Sequence, residues 1–556
     1  MHLSTCTLCE ATCGIRVTVE GGRVTRVEGD PDDPFSQGYI CPKAAALADL
    51  QHDPDRLSHP IRKTKGGWAK VAWDDALDEA ADRLHALRQA HGRNSLAVYL
   101  GNPNVHNLGA MLFGPPFIRS LGTRRRYSAT SVDQRPHMLA AATMFGHPLL
   151  MPVPDLDRCD LLLVFGANPV VSNGSIMTAP FVKKRLKAIA ARGQVHVFDP
   201  RHTETARVAT AHHAIRPGTD ALALLALLHV VFAERSPRLG HLARGATHLD
   251  RLRALAADFP PERVAEATGV SAQTLRQLAL QLVDTPRAAV YGRMGVCTQE
   301  FGGVTGMLLY ALNAVTAHLD TPGGLMFAQP ALDAVHPPLG RPGKARPRFN
   351  RWQSRVRGLP EFFGELPVAT LAEDILTPGE GAIRGLVVWA GNPVLSCPNG
   401  RKLDAALASL DFMVAVDLYR TETNRHADLI LPAAPPLSRD HYDAAFNLLS
   451  VRNHAKFAPA ALPAPADTRQ DWQIANALQA RLEKRAGAPL VARAVTAALG
   501  RLGPRGVLDL GLRAGPHGLR AGRKGLSVRA LLAQPHGVDL GSLRPCLRAR
   551  MPRDWP

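Results

Sequence analysis

Leu161-Leu162-Leu163-Val164-Phe165-Gly166-Ala167-Asn168-Pro169-Val170-Val171-Ser172 reads as a buried strand, a tight turn and the start of a helix. Five consecutive apolar residues suit a strand covered on both faces, and Gly-x-Asn-Pro supplies the turn. The same design returns as Leu386-Val387-Val388-Trp389-Ala390-Gly391-Asn392-Pro393-Val394-Leu395-Ser396. Downstream, Val197-Phe198-Asp199 leads to Thr203-Glu204-Thr205, and Val416-Asp417 leads to Thr421-Glu422-Thr423. Strand, Asn-Pro loop, helix, strand and Asp therefore occur twice. Two units of one design imply two similar ligand sites at the carboxyl ends of parallel strands.

The flanking sequence extends this α/β reading. Val17–Val27 alternates apolar and polar residues around Gly21-Gly22 and predicts a hairpin. Trp73–Ala90 has the spacing of an amphipathic helix, Leu96–Leu100 that of a buried strand, and 178–192 reads as helix. A long helix is expected after Pro217-Gly218-Thr219-Asp220. The stretch 331–374, rich in Pro, Gly and Arg at its start, is expected to be a basic linker.

Composition narrows the function. The 556 residues are 46% hydrophobic and 21% charged, as in an ordinary globular protein. The longest apolar run, Ala221–Ala233, has 13 residues and falls short of the ~20 a membrane span needs. The N-terminus has neither an apolar leader core nor a twin-arginine pair, so a cytoplasmic location is expected. The net charge of +18 is uneven: residues 491–556 hold 12 Lys and Arg against 3 acids, and Arg341–Arg357 holds seven cations and no acid. With only 5% aromatic residues and no stacking motif among the arginines, nucleic acid is not an expected partner.

Four of the eight cysteines lie in the first 41 residues, as Cys6-x2-Cys9-x3-Cys13-x27-Cys41, followed by Pro42-Lys43. A compact triplet and a distant fourth thiolate suit a four-iron cluster, while zinc also accepts four cysteines, more often as two short knuckles. This pattern, ahead of two α/β units with Asn-Pro loops, resembles the molybdopterin oxidoreductases, enzymes such as formate dehydrogenases and assimilatory nitrate reductases. The resemblance runs from residue 4 to about 480.

It implies a [4Fe-4S] cluster on Cys6, Cys9, Cys13 and Cys41, and molybdenum or tungsten held by two molybdopterin guanine dinucleotides. It implies a small N-terminal iron–sulfur domain (1–58) and two pseudo-symmetric doubly wound α/β domains (151–330, and 59–150 with 375–485). It places Lys43 between cluster and pterin. For the first dinucleotide it points to Gly166, Asn168, Asp199, Gly218, Thr219 and Asp220, with Met294 and Gln299 in the pterin loop Gly292–Gln299. For the second it points to Asn392, Asp417 and Asp471. Cys159 and Cys297 are expected to be packing residues, and Cys397 lies in a loop facing the cofactor.

The sequence departs from the family in two places. Where relatives carry a cysteine or selenocysteine ligand, it reads Ser128-Ala129-Thr130-Ser131-Val132-Asp133-Gln134-Arg135-Pro136-His137. His137 falls in the ligand slot by alignment on the Arg-x pair, and Ser131 and Asp133 are candidates because hard oxygen donors suit a high-valent metal. Residues 486–556 form a basic segment without the strand alternation of the family's closing barrel. The implied function is a soluble oxidoreductase that takes a small-molecule substrate and passes electrons to an external partner or electron-transfer subunit. The alternative is a non-catalytic iron–sulfur subunit that keeps the fold without the metal site.

Overall fold

A computed structural model describes residues 1–174, 176–335, 348–519 and 525–551. Three sheets carry the architecture. The first is antiparallel, from His2–Thr5, Gly14–Glu20 and Arg23–Gly29, turning at Gly21 and Gly22 with φ of 55° and 78°. Glycine adopts that backbone without a Cβ penalty, which makes the hairpin tight.

The second sheet is parallel and four-stranded, in the order Ala211–His213, Gln194–Phe198, Leu161–Phe165, Ala288–Gly292. Its central strand divides its side chains between two cores. Leu162 and Val164 pack with Val182, Leu186 and Ile189 of the helix Val182–Arg192. Leu161, Leu163 and Phe165 pack on the other face with Leu224 and Leu228 of Asp220–Glu234. All five strand residues are buried, which is why the run reads as continuously apolar. The helix expected over 178–192 starts only at Val182: Pro180 lacks an amide hydrogen, and Phe181 holds a left-handed φ of 57°.

The third sheet has seven strands, in the order Gly67–Lys70, Ile61–Thr64, Leu429–Pro432, Phe412–Asp417, Gly385–Trp389, Leu96–Leu100, Arg125–Ser128. The first two are antiparallel additions and the other five run parallel. The chain thus leaves this sheet after Ser128 and re-enters it at Gly385.

Two stretches differ from expectation. Arg341, Lys344 and Arg346 of the expected linker lie outside the described residues, but 348–376 is folded. It forms a hairpin of Phe349–Gln353 with Pro360–Phe362 and a helix Leu371–Leu376. Two of its arginines are neutralised locally: Arg351 grips buried Glu361 at 2.6 Å, and Arg357 reaches Glu373 at 2.6 Å. The basic segment after 486 is likewise no loose tail. It holds the helix Leu490–Ala514, kinked at Gly503-Pro504, and a strand Val538–Gly541 paired with Asn453–Ala455. Among the described residues no helix is long and apolar enough to cross a membrane.

Candidate functional site

The loop that carries Cys6, Cys9 and Cys13 joins the first two strands and is closed by the Cys6 amide donating to the Cys13 carbonyl at 2.8 Å. Cys6 and Cys13 are buried, Cys9 and Cys41 half-buried. Burial pushes the Cys6 thiol up to about 12, and the charges of Cys9 and Cys41 push it the same way. Burial also raises Cys9, and raises Cys13 well above the ordinary range, with Cys6, Cys9 and Cys41 again contributing. Cys6, Cys9 and Cys13 thus resist ionisation unless a metal takes their charge. Among the described residues, three metal-type donor atoms converge within 4.8 Å only at Asp30, Asp32 and His536. No three of the cysteine sulfurs are thus gathered as closely as the ~3.8 Å edge of a tetrahedral zinc site requires. Lys43 sits exposed on the short helix Pro42–Ala45, and its charge counteracts the rise at Cys6 and Cys9.

The two Asn-Pro loops are superposable in detail. Asn168 and Asn392 adopt φ/ψ of −122°/66° and −121°/65°. Asn168 Oδ1 accepts from Thr205 Oγ1 at 2.7 Å and from its amide at 3.2 Å, while Asn168 Nδ2 donates to Glu204 at 2.8 Å. Asn392 does the same with Thr423 and Glu422, at 2.7, 3.2 and 2.7 Å. Each Asn thus braces the Thr-Glu-Thr loop of the neighbouring strand; its amide is engaged by protein. Asn168, then Arg201, draws the Glu204 carboxyl down to about 2. The sequence repeats Thr-Glu-Thr, yet nothing in it says that the Asn partners are these residues.

Both loops emerge at the carboxyl edge of a sheet, where backbones pass very close. A Cβ on Gly166 would stand 2.9 Å from Gly295 Cα, and one on Gly101 would meet the Ala390 carbonyl at 1.7 Å. In the first unit the edge continues through Asp199, which caps Arg201 N at 2.9 Å, to Gly218-Thr219-Asp220. Asp220 is buried, and its Oδ2 accepts from Gln299 Nε2 at 2.8 Å; burial raises its carboxyl. Gln299 Oε1 is buried without a partner, and beside it Gly218, at φ 83°, leaves space. An orphaned acceptor beside an open glycine corner fits a bound group with donors. Met294, on the short helix Met294–Cys297, is 53% exposed at the same edge.

In the second unit, Asp417 ends its strand with a carboxyl raised to about 6 by burial, although the Leu418 amide donates to it at 2.7 Å. Asp471 differs from expectation: its Oδ1 accepts from Trp389 Nε1 at 3.1 Å and its Oδ2 from Arg439 at 2.8 Å. One oxygen anchors the strand end Trp389 and the other holds Arg439, so each carboxylate oxygen already has a protein donor. Cys397 lies 3.6 Å from Tyr99 Oη, and Cys159 donates to the Leu161 carbonyl at 3.1 Å.

The candidate metal ligands separate. His137 is buried, with Nε2 2.6 Å from the Gly292 carbonyl and Nδ1 3.5 Å from Cys297 Sγ. Burial lowers the ring to about 4, so it is neutral and both nitrogens face protein. It props the Gly292–Cys297 loop from below. Asp133 receives Arg293 through its carbonyl at 3.0 Å and its carboxylate at 3.4 Å. Ser131 Oγ donates to the Ser128 carbonyl and accepts from the Val368 amide, both at 3.0 Å.

Comparisons with known proteins agree with this geometry. Residues 1–53 match the family model "Molybdopterin oxidoreductase Fe4S4 domain" and residues 56–481 match "Molybdopterin oxidoreductase". The chain is 27% identical over 505 residues to the assimilatory nitrate reductase catalytic subunit of Bacillus subtilis, covering 86% of this chain and 68% of that one. It is also 27% identical over 514 residues to formate dehydrogenase H of Escherichia coli, with the same coverage. The acetylene hydratase from Pelobacter acetylenicus has the same fold, with a TM-score of 0.75 at 18% identity over 92% of this chain and 71% of that one. A cysteine-bearing N-terminal unit and two strand-edge cradles in this order are those of one family, and the chain belongs to the molybdopterin oxidoreductases.

Proposed function

We propose that this protein is a molybdenum- or tungsten-dependent oxidoreductase of the formate dehydrogenase and nitrate reductase kind, with a [4Fe-4S] relay. The observation that carries the reading is the duplicated strand-edge cradle in a chain with a four-cysteine N-terminal unit: two nucleotide-type sites and one redox-type site. When bound, the metal–pterin group supplies two-electron chemistry at the substrate. The chain's own residues position it. Gly166, Gly218, Thr219 and Asp199 shape the first cradle, where Asp220 and Gln299 offer acceptors to a guanine edge and Met294 lines the pterin side. Asn168 and Asn392 hold the two loops in shape. Asp417 supplies the acceptor of the second cradle, and Asp471 fixes the end of the neighbouring strand through Trp389. Cys6, Cys9, Cys13 and Cys41 hold the cluster, and Lys43 stabilises its reduced state by Coulomb attraction. His137 and Asp133 act as positioning residues, holding the Gly292–Cys297 loop and Arg293 over the site. A non-catalytic electron-transfer role receives no support from the family matches.

The test is elemental and nucleotide analysis of protein made anaerobically with molybdate or tungstate. About four irons, one molybdenum or tungsten and two guanine nucleotides per chain are expected, with viologen-linked turnover of formate or nitrate. Stoichiometric zinc without iron, or iron without guanine nucleotide, would sink the reading.

A further inference from the structure

The helix Val182–Arg192 reads Val-Lys-Lys-Arg-Leu-Lys-Ala-Ile-Ala-Ala-Arg, with five cations and no acid. Its buried face, Val182, Leu186 and Ile189, is fixed against the four-stranded sheet. Two of its cations are held internally: Arg185 pairs with Asp157, and Arg192 lies 3.3 Å from Asp160 and donates to the Leu156 and Cys159 carbonyls. Lys183, Lys184 and Lys187 are exposed, and no carboxylate partner is recorded for them among the described residues. They form a solvent-facing basic strip.

Lys184 of this strip borders a cavity of about 440 Å³. Its walls include Phe35 and Gln37 from the cysteine-bearing unit, Phe181 and Lys184 from the helix, and the opposed pair Arg452 and Asp539. The cavity is close to the cysteines. Phe181 stacks on Tyr39 with ring centroids 5.1 Å apart and planes 18° from parallel, and Tyr39 is two residues from Cys41. The phenol hydroxyl is tied to Asn173 Oδ1 at 2.7 Å, and Lys184 Nζ stands 5.2 Å from the Phe181 centroid. Phe181 keeps a left-handed backbone, unusual for a bulky side chain, and in that conformation its ring covers Tyr39. Two packed rings lie between the neighbourhood of the cysteines and a cavity edged by Lys184.

We propose that this face docks a small acidic iron–sulfur carrier protein, and that electrons cross here between that carrier and the cluster. The proposal rests on the reading of the four cysteines as a redox cluster. One electron leaves the reduced cluster and reduces the oxidised iron–sulfur centre of the carrier; no bond forms or breaks. Charge complementarity selects the occupant, since three unpaired lysines attract an acidic surface and speed encounter at low salt.

The experiment uses the iron-loaded protein, its iron content and visible absorption measured first, reduced with dithionite and freed of excess reductant. It is mixed by stopped flow with an oxidised acidic plant-type [2Fe-2S] ferredoxin. Lys183→Glu, Lys184→Glu and Lys187→Glu combined should lower the second-order rate constant at least tenfold at low ionic strength. The difference should shrink severalfold at ~0.5 M salt, where the Debye length is a few ångströms. The control pair Arg244→Glu and Arg251→Glu, the latter on the helix Leu249–Ala257 of the opposite sheet layer, should leave the rate unchanged. A triple variant as fast as the parent, or a control pair that slows it equally, would overturn the docking site. So would a parent that holds a reducible cluster yet fails to react with ferredoxin. A parent without iron would instead overturn the cluster reading itself.

Discussion

Gly166 and Ala390 occupy one position in the two cradles, at φ of 52° and 46°. An alanine there carries a Cβ clash that glycine avoids, at about 1 kcal/mol. Ala390→Gly should therefore raise the unfolding free energy by about 1 kcal/mol, read from urea denaturation midpoints. Gly101→Ala should do the reverse. A Cβ 1.7 Å from a backbone oxygen must part the two loops, and the variant should lose guanine nucleotide before it loses its fold. A second residue-scale expectation concerns pH. Asp443 is buried, with its carboxyl pushed up to about 7 by burial against an ordinary value of 3.8. The folded state thus holds a proton that the unfolded state has lost, so between pH 4 and 7 stability falls as pH rises. Asp443→Asn should stabilise the protein at pH 8 and have little effect at pH 4, giving a flatter plot of midpoint against pH. Single residues were the least legible scale. Asn168 and Asn392 were recognisable as loop residues, but their partners lie 37 and 31 residues away and meet them only through parallel strand register. His137 filled a ligand slot by spacing alone; the Gly292 carbonyl that captures its ring comes from a strand 155 residues on.

Strands and helices were far more legible, because period and turn chemistry are local. Leu161–Phe165, Gln194–Phe198 and Asp220–Glu234 follow from apolar runs bounded by Gly, Asp and Pro. The hairpin Phe349–Gln353 with Pro360–Phe362 was not legible, since its arginines look solvated until Glu361 and Glu373 are seen to hold them. One contact between elements invites a direct test. Asp33 follows the first hairpin, and the strand Asn453–Ala455 delivers Lys456 to it at 3.0 Å, both buried. Burial alone would push the Asp33 carboxyl up; Lys456 and the Ser36 amide pull it below the ordinary value. Lys456→Met leaves a buried carboxylate without its cation and should cost about 3–5 kcal/mol, while Asp33→Asn with Lys456→Met should recover most of that. Denaturation of both variants checks it. A single variant as costly as the double would show that the pair is not coupled.

At the scale of the whole molecule, the four-stranded unit is inserted between Arg125–Ser128 and Gly385–Trp389 of the seven-stranded sheet. The duplicated motif disclosed both units, but no local signal says which strands pair across an interruption this long. The N-terminal unit depends on still more distant chain. Asp30 is wholly buried and accepts from His536 at 3.0 Å, across 506 residues, while Lys456 lies 3.5 Å away. At synthesis rates of roughly 5–20 residues per second, His536 leaves the ribosome roughly 25–100 s after Asp30. During that interval the cysteine loop lacks two of the groups that later pack around its support. Cys6 and Cys13, buried in the finished fold, should then be more open to whatever delivers iron and sulfide, and equally to oxidants. Easy loading of those two thiols should thus belong to the period before Val538–Gly541 pairs with Asn453–Ala455.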